Sequence, residues 1–277
     1  MLDRCIAGVG PAPLAAEYRR NRQTLLDLDV PYRRLGLAAE LYTIPPVHTP
    51  RRPEPEPEIA GRLTRSKLVS LYSDYLVGSA KPGRELYDTL LASVSHCPYC
   101  GGLGQASTLD HYLPKAKFPL HSVLPANLIP SCKDCNFEKS DAIATQKGEQ
   151  VLHPYLDEQK FFDEQWLQAV AQNTNPITFV FEVVSPAIWS DDDKARVLKH
   201  STEHGLVFRF SQEANAHMST VRHERKTVLE ELTPQQYRQV LITKSNTNDL
   251  PINHWRRLSY QALSNAAWFY SRHPATL

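Results

Sequence analysis

Residues 97–139 contain the stretch of sequence that decides the fold. It reads Cys97-Pro98-Tyr99-Cys100, then Leu109-Asp110-His111-Tyr112-Leu113-Pro114, and then Asn127-Leu128-Ile129-Pro130-Ser131-Cys132-Lys133-Asp134-Cys135-Asn136-Phe137-Glu138-Lys139. A Cys-x-x-Cys turn lets two thiolates reach one ion, and two such turns complete a tetrahedral zinc site with no open position for substrate. We therefore predict a structural Zn²⁺ bound by Cys97, Cys100, Cys132 and Cys135; unligated thiols or another metal are the alternative.

The bulk composition indicates a globular protein of a reducing compartment. The chain has 277 residues, 42% of them hydrophobic, and a formal net charge of +1. No long-range field gathers nucleic acid at this charge, so phosphate binding has to come from local patches. Because four of the five cysteines form the two pairs, metal binding is favoured over disulfides, and Cys5 is expected to be an inert thiol. The sequence predicts no signal peptide and no membrane span, and hence a cytoplasmic location.

The composition along the chain predicts an α+β protein that is predominantly helical. Residues 14–42 have helical composition, and residues 44–58 are rich in proline, which fixes φ and removes backbone donors. The cysteine region reads as a β-hairpin followed by a helix, and residues 177–184 form the clearest strand candidate. Further helices are predicted at 59–77, 82–94, 191–203, 212–232, 234–243 and 252–271. The predicted organisation is an N-terminal helical segment (1–43), a linker (44–58), a helical lead-in (59–95), a catalytic core (96–150) and a mainly helical C-terminal region (151–277).

Between the two cysteine pairs lie residues suited to phosphodiester hydrolysis. A neutral His111 imidazole can accept a proton from an attacking water. The carboxylate of Asp110 and the amide oxygen of Asn136 suit a hydrated Mg²⁺ or Mn²⁺, leaving positions for waters and a phosphate. In a regular strand Asp110 and His111 point to opposite faces, so a shared site requires the strand to end or bend there.

Three further residues are assigned supporting roles. If a helix begins near Cys132, then Cys132, Asn136 and Lys139 share one face at spacings of four and three residues, and the zinc orients Asn136. Asn127 is expected to bond backbone groups and hold the loop that follows His111. Lys139 and Lys115 are candidates for contact with a substrate phosphate, although a solvated lysine is the plain alternative.

This set of residues resembles the HNH endonucleases of the ββα-metal fold over about residues 96–140. The resemblance implies that His111 is the general base, that Asp110 and Asn136 bind the catalytic divalent ion, and that Asn127 orders the loop. Two departures are visible: Asn136 stands in place of the last histidine, and Lys117-Phe118-Pro119 replaces a frequent Gly-Gly. Two segments are also similar to the HNH component of Septu-type anti-phage systems, which is encoded beside an ATPase. They are Leu109-Asp110-His111-Tyr112-Leu113-Pro114-Lys115 and the later Leu152-His153-Pro154-Tyr155.

The sequence thus predicts a metal-dependent HNH endonuclease acting on DNA, with a nucleic-acid substrate and an ATPase as partners. Two alternatives remain open at this level. The substrate could be RNA such as tRNA, because both polymers present the same phosphodiester. The chain could instead be a non-catalytic zinc-stabilised binding module, although such a module has no need of Asp110 and His111. His153 is expected to be a packing residue, and the resemblance offers a place near the active site as the alternative.

Overall fold

The computed structural model describes residues 1–48, 54–139 and 141–276 of the chain. Two compact units form, Met1–Asp157 and Glu158–Leu277. Helices dominate both units, and the described strands make two-stranded antiparallel sheets. The predicted α+β class with a predominance of helix is therefore confirmed. Among the described residues, no helix combines the length and the apolar character that crossing a membrane requires.

The first unit contains seven of the described helices and four short strands. The helices are α1 (Leu2–Ala7), α2 (Ala12–Arg20), α3 (Arg22–Leu26), α4 (Asp29–Leu37), α5 (Arg65–Ser73), α6 (Arg84–Leu91) and α7 (Lys133–Glu138). The strands are β1 (Glu58–Ala60), β2 (Leu63–Thr64), β3 (Thr108–His111) and β4 (Leu128–Ser131). The pairs are β1 with β2 and β3 with β4. The predicted hairpin followed by a helix is thus present as β3, β4 and α7.

A single apolar core joins the N-terminal helices to the β3–β4 hairpin. Its buried members include Tyr18 of α2 and Leu71 of α5, together with Leu109 of β3 and Leu128 of β4. Cys5 lies in the same core, where burial raises the pKa of its thiol to about 11, so the thiol stays protonated at neutral pH. The hairpin that carries the candidate catalytic residues is therefore supported by helices distant in the sequence. The finer division at residues 43, 58 and 95 stays a prediction.

The proline-rich segment 44–58 contains residues 49–53, which lie outside the described part of the chain. Its described residues have no helix, and β1 begins at Glu58. Val47 N–H donates to Lys117 O at 2.8 Å, which ties this segment to the loop after His111. The single helical region expected at 14–42 is divided into α2, α3 and α4, with Asn21 as the C-cap of α2.

The second unit is a hairpin packed on helices. Its elements are α8 (Lys160–Asp163), β5 (Leu167–Gln172), β6 (Thr178–Val183), α9 (Asp191–Glu203), α10 (Leu206–Lys226), α11 (Pro234–Ser245), α12 (Trp255–Asn265) and α13 (Ala267–Tyr270). Strand β6 and helices α9 and α11 lie where the sequence predicted them. Strand β5 was missed, because Leu167-Gln-Ala-Val-Ala-Gln172 is rich in residues that also favour helix. The helix predicted at 212–232 begins and ends six residues earlier, and the one at 252–271 is broken at Ala266.

Candidate metal centre and active site

The four paired cysteines converge on one point in the first unit. Their Sγ atoms all lie within 4.8 Å of one another, and all four side chains are buried. Four sulfurs placed at 2.3 Å from a tetrahedral zinc lie about 3.8 Å apart, and Cys100 Sγ is 4.0 Å from Cys132 Sγ. None of the four is in a disulfide. The donor set and its spacing therefore fit a closed, structural Zn²⁺ site, as the sequence predicted.

Backbone hydrogen bonds and a glycine shape the first Cys-x-x-Cys turn. Cys97 N–H donates to Gly104 O at 2.9 Å, and Gly102 N–H donates back to Cys97 O at 3.3 Å. A Cβ on Gly104 would lie 2.6 Å from Cys132 Cβ and 3.0 Å from Cys132 Sγ. Only glycine fits there without displacing a metal ligand. The approach of the two cysteine pairs thus depends on a residue that is itself no ligand.

The second cysteine pair begins the helix of the ββα unit. Cys132 is the N-cap of α7, and its Sγ accepts from Cys135 N–H at 3.5 Å. Strands β3 and β4 pair in antiparallel register, with His111 opposite Leu128 and Asp110 opposite Ile129. The strand β3 ends at His111. The cysteine cluster therefore includes the start of α7, which lies directly after the strand that pairs with Asp110 and His111.

The imidazole of His111 is buried and held by a backbone carbonyl. Its Nε2 lies 2.9 Å from Ser122 O, and because a carbonyl can only accept, Nε2 carries the proton. The ring packs against Tyr72 of α5 in a T-shaped arrangement, with centroids 4.3 Å apart and an interplanar angle of 73°. Burial, helped by the positive charges of Lys115 and Lys139, lowers the pKa of His111 to about 3. His111 is therefore neutral at physiological pH, and Nδ1 is the nitrogen with a lone pair to accept a proton.

The side chain of Asp110 contacts different residues from those that the side chain of His111 contacts. Its Oδ2 accepts from Tyr99 O–H at 3.2 Å and pairs with Lys139 Nζ at 3.0 Å. Lys139 also donates to His111 O at 2.6 Å. Both charged side chains of this ion pair are buried. The alternation of a regular strand is thus obeyed, and Lys139 links the end of α7 to β3.

The side chain of Asn127 makes four hydrogen bonds at the end of the loop between the two strands. Its Oδ1 accepts from Leu113 N–H at 2.7 Å and from Tyr32 O–H at 2.9 Å. Its Nδ2 donates to Leu113 O at 3.1 Å and to His121 O at 3.2 Å. The residue is 0% exposed. These four bonds bridge both ends of the loop between β3 and β4, which is the contact pattern expected of a loop-ordering amide.

A relay of hydrogen bonds continues from Asn127 to His153. Tyr155 N–H donates to His153 Nδ1 at 3.2 Å, and His153 Nε2 lies 3.4 Å from Tyr32 Oη. Since Tyr32 donates its proton to Asn127, His153 Nε2–H is the donor in this contact. The His153 ring also packs against Tyr112 at a centroid distance of 4.3 Å. His153 is buried, in agreement with the packing role predicted for it.

The remaining candidates lie in different environments. Asn136 is exposed on α7, whereas Cys132 and Lys139 are buried. Lys139 is the C-cap of α7 with helical dihedrals (φ −60°, ψ −24°), and its N–H donates to Cys135 O at 3.2 Å, so it continues the geometry of the helix. Lys139 points to Asp110, not to solvent, because a buried carboxylate needs a counter-charge. Lys115 is partly exposed, with Nζ 5.3 Å from the Tyr72 ring centroid.

Several residues that contact the candidate catalytic side chains were not predicted from the sequence. Tyr32 and Tyr72 lie far from the cysteine region in the chain, and nothing in their local pattern marks them. Tyr99 carried a usable signal, since it lies between the cysteines of the first pair and so had to be near the metal cluster. Ser122 acts through its backbone carbonyl, which no side-chain pattern reveals.

Comparison with known proteins agrees with this geometry. The model of the HNH endonuclease family matches residues 97–142, so the ββα unit with its cysteine cluster is an HNH endonuclease domain. The whole chain is 35% identical over 284 residues to protein ea31 of Escherichia phage lambda, an alignment that covers 98% of this chain and 95% of the phage protein. At this identity and coverage, the chain belongs to the family of that phage protein. No solved structure matches the chain.

Proposed function

We propose that the chain is a metal-dependent endonuclease that hydrolyses phosphodiester bonds in DNA, with His111 as the general base. The observation that carries this proposal is the state of His111 within the HNH domain. A neutral imidazole whose Nε2–H is held by Ser122 O has one nitrogen, Nδ1, with which to take a proton from water.

Asp110 and Asn136 are the proposed ligands of Mg²⁺ or Mn²⁺. Carboxylate and amide oxygens form a donor set that fits a hard cation. The contacts of Asp110 within the described residues both use Oδ2, which leaves Oδ1 for an ion, and Asn136 is exposed on α7. When bound, a divalent ion supplies charge that offsets the developing charge on phosphate oxygens.

Lys139 and Lys115 have different roles in this proposal. Lys139 neutralises the buried Asp110 and holds it in place, so it acts as a positioning residue. Lys115 is partly exposed and near His111, whose pKa its charge helps to lower, and it is the proposed phosphate contact. Asn127 is proposed to hold in place the loop that brings Ser122 O to the imidazole of His111. The four cysteines hold Zn²⁺ and take no part in the chemistry.

The first experiment is a cleavage assay of the full-length protein on supercoiled plasmid and on total tRNA, with Mg²⁺ or Mn²⁺. Wild type is expected to nick the plasmid, and His111→Ala to lose about 10²–10⁴-fold in rate while retaining its zinc. His48→Ala is the matched control, because His48 is exposed. Cleavage of tRNA alone would assign the substrate to RNA. A folded, zinc-loaded wild type that cuts neither polymer, with or without partners, would point to a non-catalytic binding module.

We also propose that this nuclease acts in the cytoplasm as the effector of an anti-phage defence system together with an ATPase. The support is the sequence similarity to the HNH component of Septu-type systems, and a four-cysteine cluster with metal-ligand spacing suits a reducing compartment. The test is phage plating on cells that carry the chain with its neighbouring genes. We expect reduced plating that His111→Ala and a disabled neighbouring ATPase each restore. Equal plating with and without the chain would refute the defence role.

A further inference from the structure

The carboxylate of Asp110 is already paired inside the protein. Its Oδ2 lies 3.0 Å from Lys139 Nζ and accepts from Tyr99 O–H at 3.2 Å. The side chains of Asp110 and Lys139 are only 10% and 7% exposed. Water and salt screen a buried ion pair much less than a pair at the surface. The negative charge of Asp110 is therefore balanced before any divalent ion binds.

Lys139 is a fixed part of this site. Its Nζ also donates to His111 O at 2.6 Å, and its backbone N–H donates to Cys135 O at 3.2 Å. Cys135 belongs to the four-cysteine cluster. The residue is thus held at both ends, by the strand that carries the candidate general base and by the helix that follows the second cysteine pair. Its ammonium is a permanent charge of the site.

Asn136, the other proposed ligand, adds no charge. Its amide is neutral, and it is exposed on α7. The two acidic residues of that helix, Asp134 and Glu138, are each two positions from Asn136. Residues two apart on a helix do not face each other. The helix therefore gives the ion an oxygen ligand without a negative charge beside it.

The positive charges around the proposed ion offset the negative one. The charges of Asp110 and Lys139 sum to zero, and the charge of Lys115 reaches His111, whose pKa it helps to lower. A divalent ion therefore enters surroundings that are neutral to positive. Mg²⁺ in proteins is usually held by one or two carboxylates together with the phosphates of a substrate. The negative charge that this site lacks is the charge that a phosphodiester brings.

We propose that the divalent ion and the nucleic acid bind this site together, and that Lys139 makes ion binding depend on the substrate. This inference rests on the proposed nuclease function. Without substrate, the ammonium of Lys139 is the counter-charge of Asp110 and keeps the ion affinity low. The phosphodiester supplies the missing negative charge, so the ion binds more tightly. Because binding free energies are linked, the ion strengthens nucleic-acid binding by the same factor.

The first test measures binding of Mn²⁺ alone to the full-length, zinc-loaded protein, from the electron paramagnetic resonance signal of free Mn²⁺. Lys139→Gln removes the charge and keeps an N–H donor. It should tighten Mn²⁺ binding about tenfold or more, because a unit positive charge beside the carboxylate is lost. Adding Asp110→Asn should abolish this gain. Lys67→Gln is the matched control, since Lys67 Nζ donates to a backbone oxygen, Arg62 O, and its loss should leave the affinity unchanged.

The second test measures the coupling between ion and substrate. It uses a His111→Ala background, which prevents cleavage and keeps the backbone oxygen that Lys139 contacts. Mn²⁺ is titrated with and without a DNA duplex, and the Mn²⁺ that the duplex binds alone is subtracted. With Lys139 present, the duplex should tighten Mn²⁺ binding about 5- to 150-fold, the usual range of coupling between two ligands. In Lys139→Gln this factor should be clearly smaller.

Each outcome decides the inference. Equal Mn²⁺ affinity of wild type and Lys139→Gln, with normal zinc content and circular dichroism, overturns it. An equal gain in Lys67→Gln, or a gain that persists with Asp110→Asn, overturns it as well. If Lys139→Gln does not fold, the coupling factor in the His111→Ala protein decides, and a factor below about two overturns the inference.

The plasmid cleavage assay separates this inference from the nuclease proposal. If cleavage is absent but the duplex still tightens Mn²⁺ binding through Lys139, the nuclease proposal fails and the coupling stands. If the protein cuts DNA and Lys139→Gln leaves Mn²⁺ binding unchanged, the nuclease stands and the coupling fails.

Discussion

Replacing Asn127 by alanine is the sharpest perturbation of this site, because the residue is fully buried and makes four hydrogen bonds. Each bond contributes about 1 kcal/mol net, and the change leaves Leu113 N–H and the Tyr32 hydroxyl without their acceptor. We expect Asn127→Ala to lower the free energy of unfolding of Met1–Asp157 by about 4 kcal/mol. The exposed Asn136 is the matched control, and Asn136→Ala should change it by less than about 0.5 kcal/mol.

The assay is a urea titration of the zinc-loaded protein with two probes. Release of zinc to a chromophoric indicator reports unfolding of the first unit, which contains the cysteines. All four tryptophans lie in Glu158–Leu277, so their fluorescence follows the second unit separately. We expect the midpoint of zinc release to fall for Asn127→Ala with an unchanged slope. Asn127→Asp should not rescue it, because a carboxylate keeps the two acceptor contacts but faces the Leu113 and His121 carbonyls without a proton to donate.

A loss of less than about 1 kcal/mol in Asn127→Ala would refute the reasoning. It would mean that the loop between β3 and β4 is held by its other contacts and that the four bonds of Asn127 are redundant. An equal loss in Asn136→Ala would refute it as well, since that side chain is exposed and has no buried partner among the described residues.

Three further predictions follow from the same contacts. Gly104→Ala should lower zinc affinity at least tenfold in a competition titration, because the added Cβ would meet Cys132, whereas Gly10→Ala, with nothing within 4 Å, should not; equal affinities would refute the close approach. In the proposed mechanism the neutral form of His111 accepts the proton, and its pKa is lowered to about 3, so kcat/KM should not fall as the pH is lowered through 6.5; a fall there would show that His111 has its ordinary pKa in the free enzyme. Burial also lowers the pKa of His121 to about 4, so between pH 4 and about 6.5 the unfolded chain is protonated at this residue and the folded chain is not. The free energy of unfolding therefore decreases as the pH falls through this range. From pH 7 to pH 5 this decrease should be about 2 kcal/mol smaller in His121→Gln than in wild type.

The parts of the site that are predictable from sequence depend on short spacings. The four cysteines had to meet, because a Cys-x-x-Cys turn presents both thiolates to one ion. The hairpin and helix around His111 follow from the same spacing, since the four-cysteine cluster ties the first turn to the start of α7. Strand β6 was also predictable, because its sequence is a run rich in β-branched and aromatic residues. Strand β5 did not, because residues of ambiguous propensity take their state from the strand that pairs with them.

The sequence by itself determined the four-cysteine cluster, the adjacency of Asp110 and His111 in one strand, and the α+β class. Tertiary structure alone decided how those groups are held. It brought Tyr32 to Asn127 across 95 residues, packed Tyr72 on His111, and turned Lys139 inward to Asp110 while leaving Asn136 and Phe137 in solvent. The physical reason is that spacing along the chain fixes only contacts within a turn or a helix. Burial, tautomer and counter-charge are set by which distant elements the hydrophobic core packs against the hairpin.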